Sequence, residues 1–178
     1  MTSSTPASAR PSAPRPGWEV GPRSVHAADS EALLRAYLIE VSDRYYLLHE
    51  GRRSTDEEIA SGLVEFHSND LVPPNAVFLV GRYAGEPAGC AGVRLRDAAT
   101  AELKRLYVRP AERGTGGGAA LLTAAHAAAR ELGARRIILD TRHDLVEARA
   151  LYARHGYGEI ERYNEDPYAE HWFAKELD

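Results

Sequence analysis

The sequence predicts a mixed α/β fold (α+β mixed sheet), in the order β-α-α-β-β-β-α-β-α-β-β with helices on both faces of the sheet. Two patterns point there. Early in the chain, apolar stretches are joined by turns too short to hold a helix, which makes antiparallel neighbours. Later, helix and strand spacing alternate, as in β-α-β units. A length of 178 residues suits one domain with a tail, and 44% hydrophobic with 27% charged residues is ordinary globular composition.

Residues 1–17 are a Ser/Thr/Ala stretch interrupted by Pro6, Pro11, Pro14 and Pro16, read as a disordered tail ahead of a domain spanning 18–178. Trp18 to His26 forms the first strand, weakened by Gly21 and Pro22. Asp29 or Ser30 caps a helix whose stripe is Leu33, Tyr37, Leu38 and Val41. Thr55 with Glu58 is a capping box opening a second helix, with Ile59, Leu63 and Phe66 as its stripe. Pro73 and Pro74 mark a connection. Three strands follow: from Ala76 to Tyr83, from Ala88 to Arg96, and from Thr100 to Val108. After Gly114 to Gly118 comes an alanine-rich helix ending at Gly133. Arg136 to Leu139 is a central strand covered on both faces. A helix from Leu145 to His155 and strands at Tyr157 to Arg162 and Glu170 to Lys175 complete the chain.

Charge and cysteine content exclude several classes. There are 22 Lys and Arg against 26 Asp and Glu, a net charge of −4, which argues against a basic nucleic-acid binder. No apolar run approaches the roughly 18 residues of a membrane span, and no secretory apolar core is present. The expectation is a soluble, cytoplasmic protein. Cys90 is the one cysteine, so it forms neither an internal disulfide nor a thiolate metal site, and its neighbours Gly89, Ala91 and Gly92 offer it no base. The seven histidines show no metal spacing, and no metal is assigned.

The sharpest motif is Arg113-Gly114-Thr115-Gly116-Gly117-Gly118, between a strand and a helix. A helix N-terminus carries unpaired N–H groups and partial positive charge, and glycine lets phosphates approach that backbone. A tight turn explains the same glycines. A Walker loop is excluded because no lysine lies between Lys104 and Lys175. The dinucleotide fingerprint is formally met by Gly114, Gly116 and Ala119, with Asp140 as the ribose contact. The polar stretch Arg109 to Arg113 and the preceding hairpins count against it, and it stands as the alternative reading.

With these motifs on the page, the sequence resembles the GNAT superfamily of acetyl-CoA-dependent N-acetyltransferases. Arg113, Gly116 and Gly118 meet that family's Gln/Arg-x-x-Gly-x-Gly/Ala motif, after the strand Glu102 to Val108. Ala148, Leu151, Tyr152, Gly156 and Tyr157 meet its later motif. The resemblance implies a direct transfer of acetyl from acetyl-CoA to a primary amine in a ternary complex, or else a non-catalytic acetyl-CoA-binding module. It implies that Leu106, Tyr107 and Val108 pair with the pantetheine arm and that amides from Arg113 to Gly118 hold the pyrophosphate. A bulge in the Glu102 strand would aim N–H donors at the thioester carbonyl. One departure stands out: Leu145 occupies the place of a common family Asn, with His143 and Asp144 as nearby substitutes.

Tyr152 is where the family places the acid that protonates the leaving thiolate, although a packed aromatic with a satisfied hydroxyl fits the same helical stripe. Glu102 is either a general base whose pKa is raised by burial or an ion-pair partner of Lys104 or Arg105. For the acceptor, Arg52 and Arg53 could hold a carboxylate while Glu165 and Asp166 could attract a cationic amine; solvated loop charge explains both sets. A small-molecule amine or amino acid is expected ahead of a protein lysine, with no nucleic acid or membrane partner and with a homodimer allowed.

Overall fold

Apolar alternation and turn chemistry place twelve elements in a computed structural model that describes residues 17–178. They are β1 (Trp18–Pro22), α1 (Ala28–Glu50), α2 (Asp56–Glu65), β2 (Ala76–Tyr83), β3 (Glu86–Leu95), β4 (Thr100–Val108), a 3-10 turn (Pro110–Glu112), α3 (Gly117–Glu131), β5 (Arg136–Thr141), α4 (Val146–Arg154), β6 (Gly158–Glu159) and β7 (His171–Glu176). The expected tail lies, Gly17 apart, outside the described residues.

The seven strands form one sheet in the order β1-β2-β3-β4-β5-β7-β6, antiparallel throughout except where β4 meets β5. Strand alternation sends Leu79, Val93, Leu103 and Ile137 to one face, where Leu121, Leu122, Ala125 and Ala129 of α3 cover them. Phe78, Val80, Cys90 and Tyr107 point to the other face, against Leu33 of α1. The alanines of α3 matter here because short side chains let the helix lie close to the sheet.

Among the boundaries that differ from expectation, three have a local reason. α1 begins after Ala27 rather than at Asp29 or Ser30, because the Asp29 carboxylate is engaged by Arg23 and Arg82 at 3.0 and 2.6 Å. β1 stops at Pro22, which has no amide to continue a ladder. β6 shrinks to two residues, because Tyr163 and Asn164 turn inward onto carboxylates of β4 and β5 and draw the chain off the sheet. The capping box on α2 forms as read: Thr55 Oγ1 accepts from the Glu58 amide, and the Glu58 carboxylate accepts from the Thr55 amide.

His126 of α3 is buried with Nε2 2.9 Å from the Tyr157 hydroxyl, which joins α3 to the end of α4. Burial, with Lys175, Arg130 and His155 nearby, pushes its pKa down to about 4. An unfolded chain binds a proton on this ring near pH 6.5, so the contribution of neutral His126 is complete above that pH and is lost as pH falls toward 4. Urea midpoints of His126→Gln should therefore fall less steeply than wild type between pH 6.5 and 4. Parallel curves would show that the ring does not titrate between the two states.

Candidate functional site

β4 and β5 run side by side for only three residue pairs, Thr100 with Arg136, Ala101 with Ile137, and Glu102 with Ile138. Beyond that they part. The cause lies on β4, where Cys90 pairs with Tyr107 but Gly92 pairs with Lys104, so Arg105 and Leu106 together face one residue of β3. This bulge carries Arg105 at φ 57, a conformation costly for a side chain with a Cβ. The Arg105 guanidinium holds the bend by donating to the Phe66 carbonyl at 2.7 Å and to Ser68 Oγ at 3.1 Å. The parted strands open a cleft of about 320 Å³ through the sheet, lined by Leu103 from one face and Lys104 from the other. Leu106 and Tyr152 also line it.

Past the bulge the chain makes the 3-10 turn and enters α3 with no side-chain cap on its first amides. Gly114 and Gly116 sit at φ 80 and 93, and a Cβ on either would meet nothing within 4 Å. Backbone conformation requires glycine there, and the space in front is open. Gly117 and Gly118 answer to packing instead: a Cβ would lie 2.3 Å from the Trp18 ring and 2.8 Å from Leu151 Cδ2, respectively. The Trp18 indole also donates to Thr115 Oγ1 at 2.9 Å, and that hydroxyl donates to the Glu112 carbonyl at 2.6 Å.

Arg113 uses its side chain internally, on Glu40 of α1 at 2.6 Å and on the Val108 carbonyl at 3.0 Å. What the segment leaves available is backbone, at a 15-residue helix N-terminus beside an open strand edge. That combination fits a phosphate-bearing ligand with an extended arm. Of the expected pantetheine contacts only Leu106 lines the cleft; Tyr107 is buried in the α1-side core, and the glycine segment lies beyond the cleft lining.

Tyr152 of α4 is 6% exposed, packed against Tyr157 and Phe173 at ring distances of 5.6 and 6.2 Å. Burial raises its hydroxyl far above the ordinary phenol range, so it stays protonated. Leu145 heads α4, lines the cleft and provides no side-chain cap. Neither expected substitute is at liberty: His143 Nδ1 is 3.0 Å from His171 Nε2, and Asp144 is closed by Arg142 through two 2.8 Å bonds.

For Glu102 the expectation of a raised pKa requires a correction. It is 1% exposed and does not line the cleft. Oε2 lies 2.7 Å from Arg94 and 3.6 Å from Arg96, and Oε1 lies 3.8 Å from Lys104 and 3.1 Å from the Tyr163 hydroxyl. Burial would raise its pKa, but Lys104, Arg94 and Arg96 together outweigh burial and hold it below the usual value. Of the two expected ion-pair partners Lys104 is present, while Arg105 is spent on the bulge. The acceptor charges are largely engaged too. Arg52 pairs with Glu50 and Glu58, Arg53 with Asp43, and Glu165 with Arg162, while Asp166 lines the cleft. Cys90 is buried, and burial pushes its thiol up to about 12.

Two features escaped the sequence reading. Asp140, weighed there only as a ribose contact, lines the cleft from the end of β5. Tyr45, Phe66 and Tyr168 form an edge-on aromatic cluster, with rings 5.5 and 5.7 Å from Tyr168. Their sequence signal was faint, because the three rings come from separate segments.

The dinucleotide alternative fails on this geometry, since the strand before the glycines belongs to antiparallel hairpins and the 3-10 turn replaces a tight strand-to-helix turn. The model of the acetyltransferase (GNAT) family matches residues 35–157. The chain is 32% identical over 117 residues to an uncharacterised N-acetyltransferase of Schizosaccharomyces pombe, covering 65% of this chain and 69% of that protein. It is 38% identical over 95 residues to an aminoglycoside N(6')-acetyltransferase of Stenotrophomonas maltophilia, covering 49% of this chain and 62% of that protein. In fold it is similar to an N-acetyltransferase of Thermoplasma acidophilum solved in complex with coenzyme A, at a TM-score of 0.64 and 19% identity, covering 90% of this chain and 99% of that one. The parted strands, the uncapped glycine-led helix and these likenesses agree: the chain belongs to the GNAT acetyltransferase family of acetyl-CoA-dependent acyltransferases.

Proposed function

We propose that this protein is an N-acetyltransferase that moves an acetyl group from acetyl-CoA to a small primary amine by direct attack in a ternary complex. One observation carries the reading: a buried, protonated tyrosine, Tyr152, lines the cleft where the sheet parts, as does Leu106 of β4. The likeness to the coenzyme A complex supports the donor, and the small cleft supports a small acceptor. The same proposal takes 18–178 as the catalytic unit, acting in the cytoplasm.

Acetyl-CoA supplies the thioester and a thiolate leaving group. The backbone of Leu106 to Val108 binds the pantetheine arm as an added strand, and the amides from Arg113 to Gly118 face the pyrophosphate. The acceptor ammonium first yields a proton to water in the open cleft. The neutral amine then forms the N–C bond as the C–S bond breaks; one proton leaves the nitrogen for water and one, replaced from water, reaches the sulfur. Tyr152 holds the proton destined for sulfur at its hydroxyl, in a place dry enough to keep it there. Glu102 serves as the charged footing of the cleft floor rather than as the base, because three cations and Tyr163 occupy its carboxylate.

Gly116→Asp should abolish acetyl-CoA binding in calorimetry. Gly116→Asn, which meets the same left-handed backbone demand without charge, should retain weaker binding. Equal affinities for the two variants would remove the phosphate role. Tyr152→Phe should keep cofactor affinity and lower kcat by roughly 10- to 1,000-fold, with a smaller loss for an acyl donor whose thiol leaves unaided. Equal loss with both donors would indicate packing alone. Glu102→Gln should lower stability by about 3 kcal/mol, because it uncouples a buried ion cluster, while the acidic limb of the pH–rate profile persists. Disappearance of that limb would restore Glu102 as the base.

A further inference from the structure

The same cleft says more about the acceptor, on the understanding that the acetyltransferase reading above is correct. Three cations line it, and each is committed elsewhere. Lys104 faces Glu102, Arg105 holds Phe66 and Ser68, and Arg142 is closed on Asp144 and on the Val41 carbonyl. Among the acids the position differs. Glu58 is held by Arg52, while Glu65, Asp140 and Asp166 form no ion pair among the described residues; of these Asp140 alone stands on a strand, at the end of β5 where the sheet parts. Both hydrogen bonds to Asp140, from Asn164 Nδ2 at 2.6 Å and from the Tyr163 hydroxyl at 3.4 Å, reach Oδ2. Oδ1 accepts no bond among the described residues. The Trp172 indole donates to Asn164 Oδ1 at 2.9 Å, which fixes the amide so that its NH₂ faces Asp140. This carboxylate is oriented by neutral donors, with Oδ1 left unengaged.

At the other wall, Tyr168 is 41% exposed and stands edge-on to Tyr45 and Phe66, at interplanar angles of 86° and 76°. Three elements contribute one ring each: α1, the end of α2, and the loop before β7. Rings gathered in this way, one exposed and two half-buried, have flat apolar surface to offer, and a carboxylate in the same cleft selects a cation. At about 320 Å³ the cleft lies at the lower end of small-ligand sites, a size that suits one ring and a short amine arm.

We propose that the acceptor is an arylalkyl primary amine, whose ammonium is received by Asp140 and whose ring rests among Tyr45, Phe66 and Tyr168. Asp140 is then a binding residue, and the aromatic cluster sets specificity.

The test uses the full chain with acetyl-CoA and three probes: 2-phenylethylamine, n-butylamine and kanamycin. The kcat/KM for 2-phenylethylamine should exceed that for each of the others at least about tenfold, the scale of one good aromatic contact. Asp140→Asn should raise KM for 2-phenylethylamine about 10- to 100-fold, the scale of a lost charge-assisted hydrogen bond, with the acetyl-CoA Kd unchanged. Tyr168→Leu, at an exposed loop position, should collapse the ratio between 2-phenylethylamine and n-butylamine, and it decides the matter if the Asp140 variant does not fold. Preference for kanamycin, an unaltered KM in Asp140→Asn, or an unaltered ratio in Tyr168→Leu overturns the inference and leaves the acetyltransferase reading standing. Failure of wild type to bind acetyl-CoA overturns that reading itself, and this inference with it.

Discussion

Everything in this molecule that bears on function follows from the parting of β4 and β5 after three pairs. A buried strand edge without a partner leaves backbone donors and acceptors unpaired, which folded proteins rarely tolerate. The fold keeps the opening by fastening α1 across it. From the β4 side Arg113 reaches Glu40; from the β5 side Arg142 reaches the Val41 carbonyl, and Arg44 reaches the Asp144 carbonyl at 2.8 Å. The Arg113–Glu40 pair is partly exposed and adds little stability by itself, so its effect is geometric. The bend at Arg105 is the other half of the device, a strained residue held by two bonds into the end of α2.

The two carboxylates below and within the opening show how surroundings divide labour between similar groups. Glu102 and Asp140 share the Tyr163 hydroxyl, at 3.1 and 3.4 Å. Glu102 is ringed by cations and removed from solvent, and Arg94 extends the cluster to Asp70. Such a buried cluster contributes rigidity more than stability, since much of its attraction offsets desolvation. Asp140 meets only neutral donors. Tyr163, whose hydroxyl is driven well above the phenol range by burial and by both carboxylates, remains a proton donor between them.

The order of elements was legible because local chemistry was consistent: Thr55 and Glu58 capped α2, short turns joined β2, β3 and β4, and the glycines preceded α3. Tyr152 and Leu106 stood out through motifs, and both line the cleft. The state of Glu102 was not legible, because its strand neighbours suggested only Lys104 or Arg105 as partners. Besides Lys104, the carboxylate meets Arg94, which comes from the adjacent strand at a register that only the folded sheet establishes. The extent of β6 was hidden for a similar reason. Tyr163 and Asn164 look like ordinary strand and turn residues until the carboxylates they meet are in place.

Trp18 starts β1 as read from the sequence and also covers the glycines, packed against Gly117 and bonded to Thr115. The chain has only one other tryptophan, Trp172, tied to the Asn164 that orients Asp140. The two indoles thus sit one at the proposed donor end and one at the proposed acceptor end. Each is an intrinsic fluorophore whose emission reports polarity and quenching in its own surroundings. Occupancy of the two ends is therefore written into separate optical channels of the unlabelled protein, separable by replacing one indole at a time.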